Sequence, residues 1–314
     1  MKKVFVIISN GGGGIATFQK YFIENILRLN HKIYFIDKNN NHTFKYFDTK
    51  LKNKIKLFKC NTISEPKKVL SSLKIIKKNE LDKKVIFIFS NPALLILYFF
   101  YLSILFRNKK VNLFIHSHIL KINISQIIIN FFSSLISPFI DKVYFVSKFT
   151  KRWWLKYFFF YNLSKHKVFY NSVSIPKINS KKKFINTVGF VGRYEIEKGI
   201  DVFSYIIKNL VKYNFKFELF GKGSFKNKIF KHKNVKINDW ESQKNIYKKI
   251  GILLVTSPIE NCPFTVLEAK SYGIPTLSIS KGGIKEIIKN NLDGIALNNN
   301  KENKIKKSLL KIKK

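Results

Sequence analysis

Two carboxylates, Glu260 and Glu268, stand eight positions apart in the stretch ILLVTSPIENCPFTVLEAKSYG, Ile252–Gly273. The apolar run ahead of them reads as a buried strand ending at Thr256-Ser257-Pro258. Pro263 suits the first turn of a following helix, and Gly273 and Pro275 suit the positions just past its end. That reading puts Glu260 in the loop at the strand's carboxyl end and Glu268 on the helix. In an open α/β sheet ligands bind at this edge, and a helix N-terminus aimed there favours an anion. A carboxylate in the early turns can accept hydrogen bonds from two hydroxyls of a ribose. Two ordinary surface carboxylates would give the same pattern, so a second signal is required.

Phe190–Asp201, FVGRYEIEKGID, is that signal. It follows a strand and precedes a helix expected to begin near Asp201. Arg193 is one of only four arginines among 59 basic residues, and bidentate phosphate recognition is where lysine does not substitute for arginine. Lys198 follows five residues later, and Gly199 lets the backbone turn closely. Two cations on one loop can neutralise a diphosphate.

The elements that must position these residues alternate along the whole chain. Val4–Ile8, Lys32–Ile36, Val85–Phe89, Leu113–Ile115 and Val143–Val146 read as buried parallel strands. Thr187–Val191, Lys216–Phe220, Val235–Ile237, Ile252–Val255 and Thr276–Ile279 continue the series, with amphipathic segments such as Ile15–Leu29 between. Repeated strand–helix alternation predicts a doubly wound α/β architecture. Pro176 and Lys181-Lys182-Lys183 interrupt it between Ser174 and Lys183. We expect an N-terminal domain over 1–175 and a C-terminal domain over 176–314. Gly11–Gly14 opens the first helix, where glycines let the backbone approach a ligand. His116 and His118 end a strand at its carboxyl edge, where titration near neutrality would be useful.

Composition narrows the partners. The net charge is +41, almost wholly from lysine spread along the chain, whereas base-reading proteins lean on arginine forks. The charge reads first as a solvated surface of biased composition; nucleic acid is not expected as a partner, and if the charge is selected an anionic membrane surface is the better fit. Two separated cysteines, Cys60 and Cys262, form neither a disulfide framework nor a metal spacing, which suits a reducing, cytoplasmic setting. Val4–Ile8 is too short for a signal-peptide core and reads as a strand. Val85–Phe106 holds 22 uncharged residues, long enough to span a bilayer, but Ser90-Asn91-Pro92 cuts it into strand, turn and helix. Lys148–Tyr161 mixes cations and aromatics, which fits either an interfacial helix peripheral to the membrane's inner face or a core-facing aromatic stripe.

With these motifs in order, the chain resembles the retaining, glycogen-synthase-like glycosyltransferases of family 4. The series runs from Gly11–Gly14 through DKVYFVS (Asp141–Ser147), Asn171-Ser172-Val173 and GRYEIEKG to the Gly221–Gly223 turn. It ends with the Glu260/Glu268 pair and Gly282-Gly283-Ile284-Lys285-Glu286. The resemblance implies two Rossmann-like domains facing across a cleft and sugar transfer with retention at the anomeric carbon. The implied donor is a nucleoside-diphosphate sugar and the acceptor a glycan or lipid-linked glycan, with no cofactor and no obligatory metal. It assigns Arg193 and Lys198 to the diphosphate, Glu268 to the ribose and Glu260 to the donor sugar near the reacting carbon. Asn261, Pro263, Phe264, Thr265, Gly13 and Gly14 complete the implied donor site, and His116 matches a histidine near the donor sugar. The form His116-Ser117-His118 is similar to members that build surface polysaccharide or lipopolysaccharide.

Two departures stand out. Asn261 occupies a position more often glycine, and the basic tail Lys301–Lys314 stands where the family usually has a helix crossing back to the first domain, so either altered domain closure or an abbreviated helix is expected. Three alternatives stay open. Gly11, Gly13, Ala16 and Asp37 loosely match a dinucleotide fingerprint; a nucleotide-sugar epimerase shares the fold; and a basic membrane- or nucleic-acid-binding protein would explain the charge.

Overall fold

The computed structural model describes residues 2–9, 11–37, 49–81, 83–116, 124–157, 163–176, 186–213, 215–289, 293–297 and 302–313. The chain forms two compact units, Met1–Tyr170 and Asn171–Lys314.

The first unit runs β1 (Val4–Ile8), α1 (Gly14–Arg28), β2 (Lys32–Asp37), α2 (Thr49–Lys52), β3 (Lys56–Lys59), α3 (Pro66–Asn79) and β4 (Val85–Phe89). It continues with α4 (Pro92–Leu105), β5 (Lys109–Ile115), α5 (Ile124–Ile136), β6 (Lys142–Phe145), α6 (Lys148–Tyr157) and β7 (His166–Val168). The seven strands form one sheet in the order β3-β2-β1-β4-β5-β6-β7, and every pair is parallel. β1 lies between β2 and β4, with Val4 opposite both Lys32 and Val85. Helices cover a fully parallel sheet on both faces, which is why Val6, Ile7, Ile8, Phe87 and Phe89 are buried without alternation.

The second unit runs β8 (Thr187–Val191), α7 (Ile200–Leu210), β9 (Lys216–Phe220), β10 (Val235–Asn238), α8 (Gln243–Lys249) and β11 (Ile252–Val255). Then come β12 (Ile259–Glu260), α9 (Phe264–Ser271), β13 (Thr276–Ser278), β14 (Lys281–Gly282), β15 (Gly294–Ala296) and α10 (Glu302–Lys313). Its parallel sheet has the order β10-β9-β8-β11-β13-β15, and β12 and β14 form a separate parallel pair. α10 seats Ile305 and Leu309 in this unit's core. Both sheets are doubly wound, as expected. Each reverses direction at one point, between β1 and β4 and between β8 and β11, and ligands of such sheets bind outside the strand ends there.

Several local expectations change. β3 (KLFK), β7 (HKV) and β15 (GIA) went unpredicted because none carries the continuous apolar run that marks a buried strand. Pro263 is not inside α9 but one residue ahead of it, with extended backbone at ψ 128°. Glu260 is not in a free loop but in the two-residue strand β12, paired with Gly282. Val85–Phe106 divides as expected, with Asn91 capping α4 by accepting the Ala93 N–H at 2.9 Å. Lys148–Tyr157 takes the core-facing alternative: Trp154 is 3% exposed and Trp153 packs beside it. Residues 158–161 of that segment, the 177–183 part of the interdomain break, and His118 lie outside the described residues.

Gly199 ties the loop after β8 to the end of β11. Its φ is +70°, and a Cβ placed there would stand 2.2 Å from the Thr256 carbonyl oxygen. Its own carbonyl accepts the Thr256 hydroxyl at 2.7 Å. Left-handed backbone alone costs a non-glycine residue about 1–3 kcal/mol, and the clash adds to it. Gly199→Ala should therefore lower stability by about 3 kcal/mol or more, read as a lower midpoint in thermal melts. An unchanged midpoint would show that this contact is not needed.

Candidate functional site

The site is assembled at the reversal point of the second sheet. The loop leaving β8 carries Arg193, Tyr194, Glu195, Glu197 and Lys198, the loop leaving β11 carries Thr256 and Ser257, and β12 beyond it carries Glu260. Tyr194 and Glu195 anchor the first of these loops. Tyr194 is fully buried, and its hydroxyl donates to the Asn238 carbonyl at 2.6 Å. Glu195 accepts the Ser224 N–H and hydroxyl, each at 2.7 Å, and these bonds hold its carboxyl below the usual carboxylate range. Gly221 and Gly223 permit this crossing, since a Cβ at either would fall 1.9 Å from the Gly192 oxygen or 2.4 Å from the Tyr194 oxygen.

The Lys198 ammonium donates to Glu260 Oε1 at 2.7 Å, and the Ser257 hydroxyl donates to the same oxygen at 2.8 Å. Ser280 in turn donates to the Ser257 carbonyl at 2.5 Å. Two residues 62 positions apart in sequence thus meet head to head at the carboxyl edge. Arg193 instead pairs with Glu197, four residues on, in an exposed ion pair. Such pairs contribute only about 0–1 kcal/mol, whereas hydrogen bonds to a charged group contribute about 1.5–3 kcal/mol.

Glu268 lies in α9, buried, with both oxygens engaged. Gln243 donates to Oε1 at 2.7 Å and the Tyr247 hydroxyl sits 2.9 Å from Oε2. Tyr247 is itself buried and stacks on Tyr272 at 5.2 Å between ring centroids. The carboxylate is therefore held in one orientation by a rigid partner. Asn261, Pro263, Phe264 and Thr265 form the turn between β12 and α9 and its first residues. The buried Cys262 in this turn is tied down through its carbonyl, which accepts the Asn171 side-chain amide at 2.7 Å. No side chain caps α9, so its first N–H groups carry the partial positive charge that attracts anions.

The remaining expected residues belong to the first unit. Gly13 is the N-cap of α1 at φ 57°, and Gly14 opens that helix. A Cβ at either would meet nothing within 4 Å, so neither is a glycine for packing reasons. Gly13 meets a backbone need, and open space lies beside both. His116 follows β5 with its ring against Phe18 at 4.5 Å. Burial pushes its pKa down to about 3, which corrects the expectation of titration near neutrality: the ring is desolvated and stays uncharged at pH 7. Among the described residues its Nε2 is buried with no hydrogen-bond partner, as are Gln19 Nε2 and Ser90 Oγ. Gln19 accepts the Ser9 hydroxyl at 3.1 Å, and the Gly11 N–H donates to Ser9 at 3.3 Å. Ser9, Ser90 and His116 follow β1, β4 and β5, which are neighbours in the sheet, so unfilled polar atoms gather at one edge. Unpaired buried polar groups are rare enough to point to function.

Sequence reasoning missed Ser257, Gln243, Tyr247, Gln19 and Ser90. Ser257 was legible as a polar residue at a strand's carboxyl end. Gln243 and Tyr247 carry no signal, because their common target lies more than 20 residues onward. Among the described residues no cluster of His, Cys, Asp or Glu could hold a metal ion.

Fold and site define a two-unit, doubly wound α/β protein with an anion-directed carboxyl edge in its C-terminal unit. Residues 173–314 match the family model described as glycosyl transferases group 1. An uncharacterized 41.2 kDa protein of the cps region of Klebsiella pneumoniae is 30% identical over 159 residues, 45% of this chain and 44% of the relative. An uncharacterized glycosyltransferase of Methanocaldococcus jannaschii is 31% identical over 120 residues, 34% of this chain and 30% of the relative. The matched stretches thus span less than half the length of either curated relative. Among solved structures, a mutant of S. aureus TarM in complex with fondaparinux, α-GlcNAc-glycerol and UDP superposes with a TM-score of 0.75 at 14% identity. That match covers 100% of this chain and 93% of the other; at such identity it shows the shared fold.

Proposed function

We propose that the protein transfers a glycosyl group from a nucleoside-diphosphate sugar to a glycan or lipid-linked acceptor, with retention of anomeric configuration. The observation that carries the reading is the contact of Lys198 with Glu260 at the reversal point of the second sheet. One cation and one carboxylate there lie where a diphosphate and its sugar would meet. The family match over residues 173–314 supports the donor class, and UDP in the similar TarM structure supports a nucleoside diphosphate.

In this reading Arg193 and Lys198 bind the diphosphate and offset the charge that grows on it as the bond to the anomeric carbon breaks. The first N–H groups of α9, those of Phe264 and Thr265, presented by the turn that holds Asn261 and Pro263, add to that stabilisation. Glu268 accepts the ribose hydroxyls, while Gln243 and Tyr247 orient it. Glu260 stands beside the donor sugar. The acceptor oxygen bonds to the anomeric carbon as the bond from that carbon to the diphosphate breaks, and the acceptor's proton leaves with the departing nucleoside diphosphate. Gly13, Gly14 and the uncharged His116 are assigned to the donor sugar by the resemblance, and His116 Nε2 is suited to one sugar hydroxyl. We assign the acceptor to the N-terminal unit and the donor to the C-terminal one. The relative from a cps region supports a place in surface-polysaccharide or lipopolysaccharide synthesis. Two free, buried cysteines suit work in the cytoplasm.

The test uses water as the acceptor. Slow hydrolysis of the donor is followed by proton NMR from the first minutes, before mutarotation. First release of the sugar in the donor's own anomeric form supports retention; first release of the opposite anomer contradicts it.

A further inference from the structure

Two helices of the first unit present an apolar surface outward. α4 and α5 contain no charged residue and pack against each other, with Phe99 of α4 5.7 Å from Phe139 just after α5. Their inner sides bury Leu95, Tyr98, Leu102 and Ile136. Their outer sides expose Phe100 at 71%, Ile104 at 78%, Phe131 at 61% and Phe139 at 67%, with Ile127 and Leu135 alongside. Positions 100 and 104, and 127, 131 and 135, share one helical face each. Scattered exposed apolar residues need no explanation, but a contiguous patch on a soluble surface marks a docking site.

The rim of this patch is basic. Lys77 lies 6.0 Å from the Phe106 ring centroid, and Lys109 donates to the Phe106 carbonyl at 3.3 Å. Lys165 donates to the Pro138 carbonyl at 2.6 Å, next to Phe139. Between Asp82 and Glu195 the sequence holds a single acidic residue, Asp141, and its carboxylate accepts the Val111 N–H at 2.8 Å.

We propose that the α4–α5 face docks on an anionic lipid bilayer, the apolar stripes entering the interface and the rim lysines meeting the headgroups. Charge decides between the possible occupants. A second copy would bring another net charge of +41 to the contact and be repelled, while an anionic surface attracts the rim. The face lies on the membrane and does not cross it: the 14 residues of α4 reach about 21 Å at 1.5 Å each, short of a hydrocarbon core of about 30 Å. No helix among the described residues is long and apolar enough to span. This proposal moves the membrane contact away from the α6 segment, whose Trp154 belongs to the core, and stands apart from the donor reading.

The test is flotation of the full chain with vesicles of phosphatidylcholine alone and of phosphatidylcholine with phosphatidylglycerol. A triple variant, Phe100→Ser with Ile104→Ser and Phe131→Ser, is run beside it. All three side chains are exposed, so the fold is kept, and unchanged circular dichroism verifies this. The expected result is flotation with the anionic vesicles and at least about tenfold weaker binding by the variant, since interfacial binding scales with buried apolar area. Equal flotation of variant and wild type would assign binding to the lysines alone and overturn the proposal, as would no flotation of the wild type. Sedimentation velocity completes the test: a wild-type dimer that the variant turns into a monomer would give the face to a second copy. Nucleotide binding should match in both proteins, so a failure here is distinct from a failure of the donor site.

Discussion

Lys198→Ala is expected to lower the rate of glycosyl transfer by about 100- to 1,000-fold, the usual effect of removing one preorganised donor from a developing anion. The size follows from the geometry. Lys198 is held at 2.7 Å from Glu260 on a loop fixed by Gly199 and Tyr194, so no reorganisation is needed when charge appears on the diphosphate. Its loss also leaves Glu260 with Ser257 as its hydrogen-bond donor among the described contacts, which loosens the hold on the carboxylate. Initial rates at saturating donor give the measurement, and the effect should fall on kcat. A rate within about threefold of wild type would remove Lys198 from the reaction, that being less than 1 kcal/mol of transition-state stabilisation.

The second large effect is expected at Glu268. On the proposed assignment Glu268→Ala removes the acceptor of two ribose hydrogen bonds, together with the carboxylate that Gln243 and Tyr247 contact. Hydrogen bonds to a charged group contribute about 1.5–3 kcal/mol, so nucleoside diphosphate affinity should fall at least about tenfold to a hundredfold. Titration calorimetry measures it directly. Gln243→Ala is the informative companion. It keeps the carboxylate and loses one orienting bond, so a smaller loss of affinity is expected, and no loss would mean that Tyr247 alone suffices.

Much of this site could be read in advance, for reasons that are physical. Pro263 and Gly273 punctuate the α9 segment, so Glu268 falls on a helix by position alone. Arg193 stands out because arginine is rare in this lysine-rich chain. The contact of Lys198 with Glu260 was not legible, since it depends on β8 and β11 being neighbours, a non-local fact that loops of different lengths can equally accommodate. Pro263 was placed one residue too far into the helix because its φ suits both positions and only ψ distinguishes them. His116 was expected to titrate, and its desolvation beside Phe18 could not be read from strand-end position. Uniformly apolar helices defeat periodicity altogether. In α4, PALLILYFFYLSIL, every face looks buried, and only the packed structure shows that Phe100 and Ile104 point outward. The aromatic run at Lys148 drew attention because its cations and rings are mixed, yet its tryptophans face the core.

The central claim is that the C-terminal unit binds a nucleoside diphosphate at the β8–β11 reversal. The most direct measurement is a thermal-shift panel of the full chain against UDP, GDP, ADP, CMP and NAD. The account predicts selective stabilisation by one nucleoside diphosphate, worth about 2.7 kcal/mol at a hundredfold excess over its dissociation constant, and lost in Glu268→Ala. Stabilisation by NAD alone, or none by any nucleoside diphosphate, would contradict it.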